Sequence, residues 1–183
     1  MPVLIGAKPE STFEDPIGLH GDCHRRIERF LSILVRDAAE ARGNPLSDEQ
    51  RTAFQTALKY FREAAPKHTA DEEESLFPRL RGMQMPEVRA VLSRVDRLEE
   101  DHACADKAHD EVDRLGSLWL EEGNLTPERA SQLSSLIEEL SELYRRHIAM
   151  EEGEVFPLAE AVLSPPERKA IGIEMAMRRG LRA

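Results

Sequence analysis

Residues His68 to Pro78, HTADEEESLFP, return 79 positions later as His147 to Pro157, HIAMEEGEVFP. Both copies carry a histidine, a glutamate four places on, a second acid beside it and a closing Phe-Pro, so the fold must build one local device twice. A further histidine precedes each copy at nearly equal distance, His24 before His68 and His102 before His147, and acidic residues Asp22 and Asp101 lie just ahead of these. His-x-x-x-Glu spacing puts both side chains on one face of a helix. The doubled set of nitrogen and oxygen donors points to a two-metal site.

Length and composition narrow the partners. A chain of 183 residues with 40% apolar content suits one globular domain with a sizeable core. A formal charge of −10 argues against nucleic acid and against an anionic membrane surface, both of which draw basic patches. Residues Met1 to Ala7 lack the basic start and long apolar run of a leader, and no later stretch approaches the roughly 20 apolar residues of a span. A cytoplasmic protein is expected. Cys23 and Cys104 match no metal-knuckle or redox spacing and are read as small buried side chains near the core.

Apolar residues recur at three- and four-residue spacing, and β-branched alternation is missing, so the chain reads as all-α. Residues 1–14 read as an irregular lead-in, 15–163 as a four-helix bundle and 164–183 as a short C-terminal helix. Asp15-Pro16 opens the first helix, whose stripe of Ile27, Leu31, Leu34 and Val35 runs until Gly43-Asn44-Pro45. Ser47 and Gln50 form a capping box for the second, which runs to about Arg81 with a kink at Pro66. Pro86 opens the third, ending at Gly123, and Thr126-Pro127 opens the fourth. Ser164-Pro165-Pro166-Glu167 starts the fifth, ending near Gly180. Short connections force antiparallel neighbours, giving an up-down-up-down bundle.

Helical rise tests whether the histidines meet. About 18 residues separate His24 from the end of its helix and about 21 separate the next helix start from His68, so both lie roughly 27 to 32 Å from that turn. The same count across the other two turns brings His102 and His147 to within about one helical turn of the same plane. Glu72 and Glu151, four places after His68 and His147, arrive there as well. The bland alternative, histidines on partly exposed faces and acids as solvated surface, suits a single His-x-x-x-Glu match better than two copies at matched height. Two imidazoles per metal with shared carboxylates suit a borderline ion such as iron. His24 and His68 would bind one ion and His102 and His147 the other, with Glu72 and Glu151 bridging.

The segments DCHRRIERFL, HTADEEESLFPRL, EEDHACADKAH and HIAMEEGEVFPLA resemble, in order and spacing, the ligand-bearing segments of the hemerythrin-like HHE cation-binding domains, which are non-haem di-iron four-helix bundles. The resemblance covers about Asp15 to Leu163. It implies His24, His68, Glu72, His102, His147 and Glu151 as ligands of two iron ions joined by an oxo or hydroxo bridge. Oxygen-carrying members have His-x-x-x-His on the third helix and His-x-x-x-x-Asp on the fourth. Here Asp106 stands four after His102 and Glu151 four after His147, a pattern more similar to bacterial di-iron proteins of iron-centre repair and of nitric-oxide or peroxide responses. An amino-terminal accessory domain like those proteins' is not expected here, and the early cysteine falls inside the first helix. The expected function is binding or reduction of a small oxidant: dioxygen, peroxide or nitric oxide. The alternative is an iron-responsive sensing, storage or iron-donor module acting through a partner protein, with Arg178-Arg179-Gly180-Leu181-Arg182 docking an acidic surface or complementing the helix dipole.

Other side chains have two readings each. His20, one turn before His24, could supply a fifth histidine to the first iron or act as an outer hydrogen-bond donor. His109, two turns beyond His102, suits a structural or channel role. Asp106, Glu73 and Glu152 could accept the second N–H of ligating imidazoles, with surface solvation the preferred state for the two glutamates. Tyr144 is read as core first and as a donor near the metals second. Trp119 and Phe61 are core.

Overall fold

A computed structural model describes residues 11–181, which contain no β-strand. Each start signal in the sequence opens a helix. The Asp15 carboxylate accepts the Gly18 N–H at the head of α1 (Pro16–Ala41). Ser47 and Gln50 close a reciprocal capping box on α2 (Asp48–Glu63). The second rod breaks where Pro66 cannot donate, and α3 (Ala65–Asp71) continues it. A π turn at Glu72–Leu76 follows, then α4 (Phe77–Gly82). Pro86 opens the long α5 (Pro86–Glu122), which stops where Gly123 adopts φ of 79°. Thr126 caps α6 (Pro127–Met150), which passes through a second π turn at Glu151–Val155 into α7 (Phe156–Val162). A Ser164–Glu167 capping box starts α8 (Pro165–Arg178).

The paired π turns have a common cause in the repeated Phe-Pro. In regular α geometry the ring of Pro78 would crowd the carbonyl four residues back, and so would Pro157. The chain widens by one residue instead: the Phe77 N–H reaches the Glu72 carbonyl, and the Phe156 N–H the Glu151 carbonyl. The sequence reading anticipated the kink at Pro66 but not these turns.

Four rods form a closed ring, α1 touching α2, α2 touching α5, α5 touching α6 and α6 returning to α1. Each rod passes through two apolar clusters. One holds Leu34, Phe54, Trp119 and Ile137, and the other holds Leu76, Leu98, Val155 and, from α8, Ile171 and Met175. The histidines sit at the crossing. Leu19 and Ile27 flank His24 in different clusters, as Leu98 and Ala105 flank His102, so a polar layer is enclosed between two dry ones. Among the described residues, no helix is long and apolar enough to cross a membrane.

Candidate metal centre

His24 projects from α1, His68 from α3, His102 from α5 and His147 from α6, while Glu72 and Glu151 each open a π turn. All six side chains are buried. Their donor atoms form two groups, His24-His68-Glu72-Glu151 and Glu72-His102-His147-Glu151, and within each group the atoms lie within 4.8 Å of one another. The four imidazoles present Nε2 inward. Glu72 offers one oxygen to each side, Oε1 at 3.3 Å from His68 Nε2 and Oε2 at 3.3 Å from His102 Nε2. Glu151 Oε2 lies between 2.9 Å from His24 Nε2 and 3.3 Å from His147 Nε2.

None of the four carboxylate oxygens of Glu72 and Glu151 has a hydrogen-bond partner among the described residues, although all are buried. His24 Nε2 is likewise unpartnered. Buried carboxylate oxygens without an aligned donor are costly, and a cation at each group would satisfy nitrogen and oxygen atoms together. Imidazole and carboxylate donors in this number fit a divalent or trivalent first-row metal.

Outward-facing nitrogens are held too. His24 Nδ1 lies 2.9 Å from Glu152 Oε1 and His102 Nδ1 lies 2.9 Å from Glu73 Oε1, each ring N–H donating to the carboxylate. Glu73 and Glu152 are therefore engaged at the site rather than merely solvated. Such partners fix which nitrogen remains free and how the ring is turned. Phe156 stacks on His24 at 5.3 Å and 14°, and Phe77 lies parallel to His102 at 6.4 Å and 12°. The residues that close each π turn thus also wall the site.

Charge is balanced by protons when no metal is bound. Burial disfavours charging His24, but Glu151 and Glu152 outweigh it and push the ring up to about 9. Burial likewise opposes His102, and Glu72 and Glu73 push it up to about 9. Burial takes His68 down to about 3. Glu72 and Glu151 stay below the usual carboxylate range despite burial, because the surrounding histidines favour the anion.

His20 stands beside the first group rather than within it. Its Nδ1 is 3.2 Å from His68 Nδ1 and 3.2 Å from Glu72 Oε1, and the ring is fully buried. Asp106 is exposed, so the outer nitrogen of His102 goes to Glu73 instead. The sequence reading gave Asp101 no role at the site: it is buried, with Oδ2 3.9 Å from His147 Nδ1, beyond hydrogen-bond reach. Its signal was the acid immediately before His102. Tyr144 packs in the core, with its hydroxyl 3.1 Å from His109 Nε2. Cys23 is buried as expected, whereas Cys104 is exposed. On α8, Arg178 and Arg179 turn inward onto Asp71, while Arg182 lies outside the described residues.

The family model described as hemerythrin HHE cation binding domain matches residues 16–159. An uncharacterized protein of Haemophilus influenzae is 32% identical over 172 residues, covering 92% of each chain.

Proposed function

Because the chain belongs to the hemerythrin HHE cation-binding family, we propose that it holds two iron ions and binds or reduces a small oxidant: dioxygen, peroxide or nitric oxide. His24 and His68 would hold one ion, His102 and His147 the other, and Glu72 and Glu151 would be shared between them. His20 contributes from behind His68. The observation that carries this reading is the set of four buried, unpartnered carboxylate oxygens facing inward-turned imidazole nitrogens. When bound, iron supplies one-electron exchange and open coordination positions for a small molecule. The donor set alone accepts iron, manganese or zinc, and the choice of iron rests on the family resemblance.

The protein's own contribution is to orient the donors and keep bulk water out. Glu73 and Glu152 hold the outer ring nitrogens, and Phe77 and Phe156 screen one side. A cavity of about 370 Å³, lined by Phe61, Ala65, Asp106, His109 and Tyr144 among others, supports access for a small molecule. Ala65 is one turn before His68, Asp106 one turn after His102 and Tyr144 one turn before His147, so its floor lies about 5.4 Å along the bundle from the metal plane. Burial lowers His109 to about 4, so a neutral ring places its Nε2 3.1 Å from the Tyr144 hydroxyl. That pair forms the inner wall of the route.

The test is metal content together with the optical spectrum of the ferrous protein before and after mixing with dioxygen, peroxide and nitric oxide. Two irons per chain and a spectral change with at least one oxidant are expected. A chain that takes up no iron, or a ferrous spectrum indifferent to all three, overturns the reading.

A further inference from the structure

Helix α8 lies beyond the family match, which ends at residue 159, yet it grips the segment that carries Glu72. Arg178 Nη1 donates to Asp71 Oδ1 at 2.9 Å, its Nη2 to Ser75 Oγ at 2.8 Å and its Nε to Glu74 Oε2 at 3.1 Å. Arg179 Nη2 takes the other Asp71 oxygen at 2.7 Å. Asp71 is fully buried, so both its oxygens are satisfied by α8 and by a charge of the right sign. One turn further, Arg79 donates to the Ser75 carbonyl at 2.7 Å and to both oxygens of Glu174 at 3.0 and 2.7 Å. Five of these bonds end on residues 71–75, the first π turn and the aspartate before it.

The helix itself is firmly seated. Ile171 and Met175 are wholly buried in the second apolar cluster, and Gly172 lets α8 lie so close to the Phe13 carbonyl that any Cβ there would collide with it. A π turn interrupts the regular α-helical hydrogen-bond ladder, and here side chains from α8 bond across it. In the corresponding second turn Met150 stands where Asp71 does and Gly153 where Glu74 does, with open space around it, while Glu154, in the place of Ser75, takes a surface bond from Arg94 of α5 at 3.1 Å.

We infer that α8 is a latch on the metal centre: Arg178 and Arg179, acting through Asp71, are positioning residues that set the Glu72 carboxylate. The inference rests on the proposed metal reading for its consequence, but not for the contact itself. Linkage makes it reciprocal, so filling the site tightens α8 and releasing α8 weakens the site.

Hydrogen exchange on the full-length Arg178→Gln/Arg179→Gln variant tests the latch in the metal-free protein. Amides of residues 72–76 should exchange at least about tenfold faster while those of 151–155 stay unchanged, since only the former rely on α8. Anaerobic ferrous titration of the same variant should show binding about tenfold weaker. Loading wild type with iron should slow exchange across residues 165–178. The Arg178→Lys/Arg179→Lys variant should recover part of the loss. Unchanged exchange at 72–76, or equal acceleration in both turns, overturns the latch; faster exchange at 72–76 with unaltered iron affinity overturns the positioning role. If wild type binds no iron, the metal reading fails while the exchange comparison still decides the contact. Should the double variant not fold, Asp71→Asn, which keeps α8 seated by Ile171 and Met175, is read by the same comparison.

Discussion

Around Glu72 the outer face of the chain is covered: Ser75 is buried, Asp71 is held by two arginines and α8 lies across the turn. Around Glu151 the corresponding Gly153 and Glu154 are exposed, and Glu154 pairs with Arg94 at 3.1 Å on the surface. Behind the histidines the contrast runs differently. His68 Nδ1 faces another imidazole, His20, whereas His147 Nδ1 faces the Asp101 carboxylate. Yet the inner faces agree, with the same His-x-x-x-Glu pair, the same outer glutamate on the upstream histidine and the same phenylalanine wall. The repeat is kept where donors meet the metal plane and has drifted where the chain meets its surroundings.

The strongest probe of that shared interior is Glu72→Gln beside Glu151→Gln. Each removes a buried charge that at least two histidines face, so iron binding should weaken by more than the about 100-fold that marks the loss of an outer partner. Metal analysis after dialysis against a graded chelator reads it. Retained iron in both variants would mean that the carboxylates are not bridging. A smaller and equal pair of effects is expected from Glu73→Ala and Glu152→Ala. Both glutamates are partly open to solvent, with side chains 38% and 48% exposed, so the loss should sit near the low end of the outer-partner range, about tenfold. Calorimetric iron titration would show whether the two changes match, and a marked inequality would break the symmetry of the interior.

Proton linkage gives a third comparison, now between filled and empty sites. Against an ordinary histidine value of 6.5, His24 and His102 lie at about 9 in the metal-free fold, because the facing carboxylates outweigh burial. A raised folded-state value contributes stability that is complete below 6.5 and lost as pH climbs through about 9. The melting temperature of metal-free protein should therefore fall across that window, while the iron-loaded protein stays nearly level, its imidazoles having already given up those protons. Iron affinity should rise over the same range. Parallel melting curves with and without metal would remove the linkage.

Much of this was legible in the chain because helical geometry is regular enough to count. Asp15, Ser47, Thr126 and Ser164 mark starts that hold, and the rise per residue brings four histidines to one level without any knowledge of packing. What could not be counted lies where the helix departs from its period or where a side chain selects among neighbours. The Phe-Pro pairs were visible, but whether a proline bends, breaks or widens a helix depends on what packs against the carbonyl it displaces. Asp106 and Asp101 stand on opposite sides of His102 in sequence. The exposed one had the better spacing, and the buried one reaches His147 on a neighbouring helix instead. Arg178 and Arg179 read as a free basic end because their partner, Asp71, is more than 100 residues away.

The smallest expected effects concern the residues behind the two downstream histidines, and they decide what His20 is. Four places before His102, where His20 would have its counterpart, stands Leu98, a plain member of the apolar cluster. His20→Leu therefore rewrites the first half in the image of the second. If His20 only orients His68, the two Nδ1 atoms at 3.2 Å share one proton, and the leucine removes that hydrogen bond while Lys67 to Thr69 stay helical. Iron affinity should then fall by less than the about tenfold lower limit for a full outer partner, because an imidazole stabilises its neighbour less than a carboxylate does. Asp101→Asn should be similarly mild, since 3.9 Å is too long for a hydrogen bond and Arg97, at 3.3 Å, already draws on the same carboxylate. Stepwise affinities of the two irons, measured in both variants, put the halves on one scale. A fall after His20→Leu as deep as that of Glu72→Gln would instead make His20 a direct ligand, and the first half would then hold one more metal-bound nitrogen than the second.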